Sequence, residues 1–223
     1  MAKLGQHFMI DKQVLGRVVD SAQLKQGERV LEIGPGEGAL TELLLRKCSV
    51  TAIEKDPAFA GVLNRKFPEL KLINADAIKV EWPPFDKCVS NLPYLISKKF
   101  LLKLLQHDFE LAVLVLQREF AEKLGAKPGD RAYGVVSVCA QACCDVELLD
   151  KIPRNAFRPQ PRVESQIVRL RKKTSLDEGF TGFVTKTLQN RNKKCGEKRV
   201  RDLSPAELLQ VYNKGATHNG KGV

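Results

Sequence analysis

The chain has 223 residues, 43% of them hydrophobic, which is enough for a sizeable core in one large domain or in one domain with a small appendage. Because no run approaches the roughly 18 unbroken apolar residues of a membrane span, and the first residues do not resemble a signal peptide, membrane and secreted classes are excluded and we expect a cytoplasmic protein. The formal net charge is +11, and all of the excess lies in residues 151–223, which carry 17 Lys+Arg against 6 Asp+Glu, whereas residues 1–150 carry 20 of each.

Short apolar stretches alternate with stretches of helical periodicity between residues 10 and 120. The predicted helices are 14–22, 39–47, 59–67 and 97–106, and the predicted strands are 29–33, 50–53, 70–73, 87–90 and 111–116. Strands that alternate with helices predict an α/β fold, a mostly parallel sheet with helices on both faces.

The last third of the chain is predicted to be more irregular. A helix through Cys143 and strands at 146–152 and 165–170 flank a stiff loop at 153–161, which contains three prolines. Residues 176–223 suggest short helices, one of them starting at Ser204 with Glu207 three residues later. We predict a first domain at 1–174 and a small basic helical region at 175–223.

The basic excess is interleaved with apolar residues, as in the run QIVRLRKK at 166–173. This pattern favours a folded basic surface that faces a polyanion, with nucleic acid as the expected partner. The alternative is a solvated tail.

A glycine-rich turn, GPGEG at 34–38, separates the first predicted strand from a helix. Glycine lets a backbone approach a ligand, here at Gly34 and Gly36, although such turns also serve packing alone. Glu54 ends the next strand, where an acid can accept both ribose hydroxyls of an adenosine-type ligand, and Asp76 follows the third, where it can accept from an adenine amino group.

The acids near this turn favour a cationic ligand over a phosphate. The spacing is not that of a dinucleotide-binding or P-loop motif, and Glu32, Glu37 and Glu54 would repel a pyrophosphate. S-adenosylmethionine, which has a sulfonium and no phosphate, is therefore the predicted cofactor in preference to NAD.

The tetrapeptide Asn91-Leu92-Pro93-Tyr94 follows the fourth strand at the same sheet edge. The side-chain carbonyl of Asn91 and a backbone carbonyl near Pro93 can accept the two N–H bonds of an exocyclic adenine amine and hold its lone pair toward a methyl group. Tyr94 offers a ring on which the base can stack. The alternative is a turn that only ends a strand.

The six cysteines and three histidines do not show metal-ligand spacing, so we expect no metal. Cys139 and Cys143, one helical turn apart, are interpreted as a buried helix face.

Four segments resemble the ribosomal RNA adenine dimethyltransferases in the order that this family has them. GQHFM at 5–9 is similar to the N-terminal signature, EIGPGEG at 32–38 to motif I, and the tetrapeptide at 91–94 to motif IV. AFRPQPRVES at 156–165 is similar to the F-x-P-x-P-x-V-x-S segment. Together these segments are far more specific than any one of them.

The resemblance implies a Rossmann-like class I methyltransferase with a small helical C-terminal domain, which is short here for the family. It implies dimethylation of two adjacent adenines near the 3′ end of small-subunit rRNA in ribosome biogenesis. It also implies cofactor contacts from His7, Met9, Gly34, Glu54, Asp76 and Asn91, and stacking of Phe157 on the target adenine opposite Tyr94.

Three other functions remain open at this level. A large-subunit rRNA dimethyltransferase of the macrolide-resistance type shares the same motifs, and a non-catalytic RNA-binding, assembly or transcription factor could keep the fold. A DNA adenine methyltransferase is disfavoured because such enzymes have proline at the position of Leu92. We expect a monomer whose partner is the immature small subunit.

Overall fold

The computed structural model describes residues 7–219, apart from the side chains of residues 178 and 215–219. Gly5 and Gln6 of the predicted N-terminal signature therefore lie outside the described residues. The first half of the chain contains β1 (Phe8–Met9), α1 (Lys12–Ser21), β2 (Arg29–Ile33), α2 (Ala39–Leu45), β3 (Ser49–Glu54), α3 (Pro57–Lys66), β4 (Lys71–Asn74), β5 (Lys87–Asn91), α4 (Ser97–Leu104) and β6 (Leu111–Gln117).

The second half is more varied. It contains α5 (Arg118–Gly125), α6 (Val135–Cys143), β7 (Cys144–Ile152), β8 (Phe157–Arg158), β9 (Ser165–Lys172), α7 (Glu178–Gln189), β10 (Lys194–Cys195), β11 (Lys198–Arg199) and α8 (Pro205–Asn219). The predicted start of α8 is confirmed, because Ser204 N–H donates to Glu207 Oε2 (2.7 Å) and Glu207 N–H donates to Ser204 Oγ (3.2 Å).

A seven-stranded sheet in the order β4-β3-β2-β5-β6-β9-β7 forms the centre of the molecule. The strands from β4 to β6 are parallel, and β9 runs antiparallel to both β6 and β7. The predicted α/β class with a mostly parallel sheet is confirmed. The parallel strands all end at one edge, which is where a ligand site is expected.

The unbroken apolar run of β6 is explained by burial on both faces of the sheet. Ala112, Leu114 and Leu116 belong to one hydrophobic cluster, whereas Val113 and Val115 belong to a second cluster on the other face. Parallel strands covered by helices on both sides have this composition.

The C-terminal helices pack on the first of these clusters. Phe180 and Val184 of α7 and Leu208 of α8 join it, together with Cys139 and Cys143, whose predicted burial on one helix is confirmed. The boundary at residue 174 stays a prediction. Within residues 7–219, no helix is long and apolar enough to cross a membrane.

Candidate active site

A cavity of about 210 Å³ opens at the sheet edge where the parallel strands end. Nine of the ten residues predicted for the site line it, namely His7, Met9, Gly34, Gly36, Glu54, Asp76, Asn91, Pro93 and Tyr94. The register of β2, β3, β4 and β5 brings these strand ends together, although their residues are far apart in the chain.

The glycine-rich turn lies close against the cavity because side chains are missing there. Gly34 and Gly36 have φ values of +66° and +56°, a region that L side chains rarely adopt. A Cβ on Gly36 would lie 2.6 Å from the Phe8 ring, and one on Gly34 would lie 3.2 Å from the Pro93 ring. Glycine at both positions therefore lets β1 and the tetrapeptide at 91–94 approach the turn.

Glu54 is the last residue of β3, connects this strand to the glycine-rich turn and lines the cavity. Its Oε2 accepts from Gly36 N–H (3.1 Å) and its Oε1 accepts from Asp56 N–H (2.8 Å), while the residue is only 3% exposed. Because a carboxylate can accept about four hydrogen bonds, each oxygen keeps capacity for a ligand hydroxyl.

Asp76 also lines the cavity, and its carboxyl group has a defined orientation. Its Oδ1 accepts from Ile78 N–H (3.0 Å), and its Oδ2 pairs with Lys55 Nζ (3.1 Å). These contacts, the backbone bond first, lower the pKa of the Asp76 carboxyl, so the group is ionised at neutral pH.

Glu32 also lines the cavity, although from the sequence we predicted only that its charge would repel a pyrophosphate. It is 1% exposed and accepts from Thr41 Oγ1 (2.7 Å). Burial raises the pKa of Glu32, the Thr41 hydrogen bond opposes this, and the charge of Glu54 adds to it, giving a value of about 8. A cation bound in the cavity would therefore favour release of a proton from Glu32.

The cavity is chemically suited to a cationic adenosine-type ligand. Glu32, Glu37, Glu54 and Asp76 line it, and Lys55 is the one lysine or arginine among its described lining residues. A pyrophosphate would meet several carboxylates, whereas a sulfonium and an ammonium group would be stabilised by them. The residues present thus fit S-adenosylmethionine.

Asn91 is held so that its carbonyl oxygen is left available. Its Nδ2 donates to the backbone oxygen of His7 (3.1 Å). Within residues 7–219 the structure records no partner for Asn91 Oδ1 or for the backbone oxygen of Leu92, whereas the Pro93 oxygen accepts from Ile96 N–H (3.1 Å). The backbone carbonyl near Pro93 with full accepting capacity is therefore that of Leu92.

Tyr94 is fixed at the cavity wall by a hydrogen bond between its hydroxyl and Ser165 Oγ (2.6 Å). Burial raises the pKa of Tyr94, with the Ser165 bond opposing, so the phenol is neutral and its ring is held in place. Ser165 lies at the start of β9, and its contribution was not found from the sequence because the two residues are 71 positions apart.

Phe157 is the one predicted site residue that is not among the described lining residues of the cavity. It pairs with Met9 in the two-stranded ladder of β1 and β8, and it is only 3% exposed, packed in the second hydrophobic cluster. The burial of Phe157 leaves its ring covered by protein on the side away from solvent, and nothing in the structure tests the expected sandwich of an adenine between Phe157 and Tyr94. Its role in stacking stays a prediction that requires the ring to become accessible.

The short ladder of β1 and β8 also positions the N-terminal segment over the cavity. His7 Nδ1 forms a hydrogen bond with the Pro159 oxygen (2.8 Å), and Ile10 N–H donates to the Ala156 oxygen (2.9 Å). Two segments that are separate motifs in the sequence are therefore joined to each other next to the cavity.

Comparison with known proteins agrees with this arrangement. A family model described as ribosomal RNA adenine dimethylase matches residues 1–220. The chain is 50% identical over 240 residues to a protein of Thermococcus gammatolerans named probable ribosomal RNA small subunit methyltransferase A, covering 93% of this chain and 86% of that one. It is 38% identical over 234 residues to the ribosomal RNA small subunit methyltransferase A of Chlorobaculum parvum, covering 98% and 85%.

Two solved structures share the fold over nearly the whole chain. A dimethyladenosine transferase from Plasmodium falciparum superposes with a TM-score of 0.83 at 27% identity, covering 94% of this chain and 98% of that one. The 23S rRNA methyltransferase ErmE gives a TM-score of 0.69 at 27% identity, covering 93% and 98%.

Proposed function

The chain belongs to the ribosomal RNA adenine dimethylase family, and we propose that it dimethylates the exocyclic amines of two adjacent adenines near the 3′ end of small-subunit rRNA. S-adenosylmethionine is the proposed cofactor. The substrate is the immature small ribosomal subunit, and the reaction is a step of ribosome biogenesis in the cytoplasm, carried out by a monomer.

The choice of the small subunit is supported by the more similar relatives. The proteins of Thermococcus gammatolerans and Chlorobaculum parvum, at 50% and 38% identity, carry small-subunit methyltransferase names. The large-subunit alternative is supported by the 23S rRNA methyltransferase ErmE, which is less similar at 27% identity.

The cavity residues have separate roles toward the proposed cofactor, which when bound supplies a methyl group on a sulfonium. Glu54 accepts hydrogen bonds from the ribose hydroxyls, and Asp76 accepts from the adenine amino group. Gly34 and Gly36 leave room for the ligand beside the backbone. His7 and Met9 close the cavity from the N-terminal side.

The tetrapeptide at 91–94 performs the orientation that the reaction needs. The lone pair of an adenine amine is delocalised into the ring, so the nitrogen is a poor nucleophile. When Asn91 Oδ1 and the Leu92 carbonyl each accept one N–H, the lone pair is directed into the cavity and the developing positive charge on nitrogen is stabilised. Tyr94 holds the flipped base by stacking.

The observation that carries this proposal is the hydrogen bond from Asn91 Nδ2 to the His7 oxygen, 3.1 Å long. It fixes the amide so that its oxygen remains free to accept. If the amide were turned around, its NH2 group would face the N–H of the adenine amine, and two donors cannot form a hydrogen bond.

The proposal is tested with purified protein, a labelled methyl donor and unmethylated small and large ribosomal subunits. We expect dimethyladenosine in the small-subunit rRNA alone, and an Asn91→Ala variant whose kcat is about 10²–10³-fold lower, as for other lost transition-state hydrogen-bonding groups. Full activity of Asn91→Ala would refute the role of the amide. Cofactor binding without methylation of either subunit would favour the non-catalytic RNA-binding alternative.

A further inference from the structure

The rim of the cavity carries an apolar side chain with almost no protein around it. Leu95 is 81% exposed, whereas the other exposed large hydrophobic residues among those described range from 36% to 49%. Leu95 also lines the cavity, next to the predicted base-stacking ring of Tyr94. Leaving a leucine in water at this position costs free energy that burial against a ligand would recover.

The backbone holds Leu95 in this outward position. It lies in the 3-10 turn Tyr94–Ile96, which is closed by the hydrogen bond from Ile96 N–H to the Pro93 oxygen (3.1 Å). The residue before it is fixed by the hydrogen bond between Tyr94 and Ser165 (2.6 Å). The exposure of Leu95 therefore belongs to an ordered turn.

Two lysines follow in the first turn of α4. Lys98 and Lys99 are exposed, and within residues 7–219 neither side chain has a recorded ion pair or hydrogen bond. The first turn of α4 contains no acidic residue. Cations at a helix N-terminus are disfavoured by the helix dipole, so this charge is not explained by the stability of the helix.

An apolar side chain beside two exposed cations is typical of contact with an unstacked nucleic acid strand. Apolar residues pack against exposed base faces, and lysines neutralise the neighbouring phosphates. Lys98 and Lys99 are not suited to the cofactor cation, because like charges repel, whereas the carboxylates that suit this cation line the cavity.

We propose that the segment 95–99 binds the nucleotides that flank the target adenine, with Leu95 packed on the neighbouring base and Lys98 and Lys99 on the phosphates. This proposal rests on the proposed function, since it takes the substrate to be rRNA. It extends that function by assigning a surface at the cavity rim. This surface keeps the flanking rRNA nucleotides unstacked while the target base lies in the cavity.

The test measures binding of unmethylated small subunits over a series of salt concentrations, together with cofactor affinity. We expect Leu95→Ala to raise the RNA Kd about tenfold with an unchanged salt dependence, because only an apolar contact is lost. We expect the double variant Lys98→Gln/Lys99→Gln to reduce the slope of log K against log salt by about 1.4 to 1.8, the value for two lost phosphate contacts. The double lysine variant should keep the wild-type cofactor Kd, and Leu95→Ala should change the cofactor Kd by less than it changes the RNA Kd.

Matched controls come from the exposed surface elsewhere. Val62→Ala removes a 40%-exposed apolar side chain on α3, and Lys25→Gln/Lys71→Gln removes two exposed lysines near the amino ends of β2 and β4. Rim variants that bind RNA no more weakly than these controls would overturn the proposal. So would a loss of cofactor affinity in Leu95→Ala that equals its loss of RNA affinity.

The outcomes separate this inference from the proposed function. Wild-type protein that methylates small subunits, with rim variants equal to the controls, contradicts only the rim surface. Wild-type protein that binds subunits without methylating them contradicts the proposed function, and the Kd values still decide the role of the rim. Wild-type protein that does not bind subunits contradicts both.

Discussion

Replacement of Glu32 by glutamine tests the electrostatic design of the cofactor cavity. The Glu32→Gln substitution keeps the shape of the side chain and an oxygen that accepts from Thr41, and it removes only the ionisable group. In the unliganded protein the pKa of Glu32 is raised to about 8, mainly by burial, so the carboxyl is largely neutral at pH 7. A bound sulfonium ligand favours the ionised form, so binding should release a proton.

The magnitude follows from this pKa. A group with a pKa of about 8 is roughly 1% ionised at pH 6 and roughly 90% ionised at pH 9. If the bound cation keeps Glu32 ionised down to pH 6, the wild-type affinity should rise roughly 90-fold over this range relative to Glu32→Gln. Isothermal titration calorimetry with S-adenosylmethionine at several pH values, in buffers of different ionisation enthalpy, measures both the Kd and the released proton.

The raised pKa of Glu32 also predicts how the stability of the unliganded protein depends on pH. Stability should fall as the pH rises, whereas cofactor affinity should increase. The folded-state pKa of Glu32 lies above its unfolded value of 4.5, so its favourable contribution is complete below about pH 4.5 and is lost as the pH rises through 8. Urea unfolding of the unliganded protein should therefore show Glu32→Gln gaining on wild type by a few kcal/mol between these limits, at ~1.4 kcal/mol per pKa unit. A wild-type to variant ratio of Kd that is constant from pH 6 to 9 would refute the reasoning.

Two further predictions concern ion pairs at opposite edges of the sheet. Asp76→Asn should raise the cofactor Kd about tenfold, because an amide replaces the carboxylate proposed to accept from the adenine amino group. Lys55→Gln removes the 3.1 Å ion pair of Asp76 and should leave the cofactor Kd equal or lower. Fluorescence titration measures both Kd values. Lys87 is 1% exposed and lies 3.0 Å from Glu28, so Lys87→Met should destabilise the fold by about 3–5 kcal/mol in urea unfolding, and a loss below about 1 kcal/mol would contradict this account of the pair.

The parallel half of the sheet was predictable because its pattern is local. The unbroken apolar run at 111–116 and the short apolar runs before Gly34 and Glu54 each identify a strand buried on both faces. The order of the chain then brings the strand ends to one edge. For the same reason most of the cofactor cavity could be predicted, since its residues immediately follow those strands.

The remaining features depend on contacts between distant segments. The hydrogen bonds of Asn91 to His7 and of Tyr94 to Ser165 join residues 84 and 71 positions apart, and no local pattern specifies them. Helix α5 was not predicted because β6 ends at Gln117 and α5 begins at the next residue, Arg118. No glycine, proline or capping side chain marks this boundary in the sequence. The burial of Phe157 follows from its pairing with Met9, in a ladder of only two residues.

Mapping the methylated nucleotides tests the central claim most directly. Unmethylated small subunits are incubated with the protein and S-adenosylmethionine, the rRNA is digested, and the fragments are analysed by mass spectrometry, with Asn91→Ala run in parallel. We predict two adjacent dimethyladenosines near the 3′ end, present with wild type and nearly absent with the variant. Methyl groups at another position, on another atom of adenine, or in equal amounts with Asn91→Ala would contradict the account.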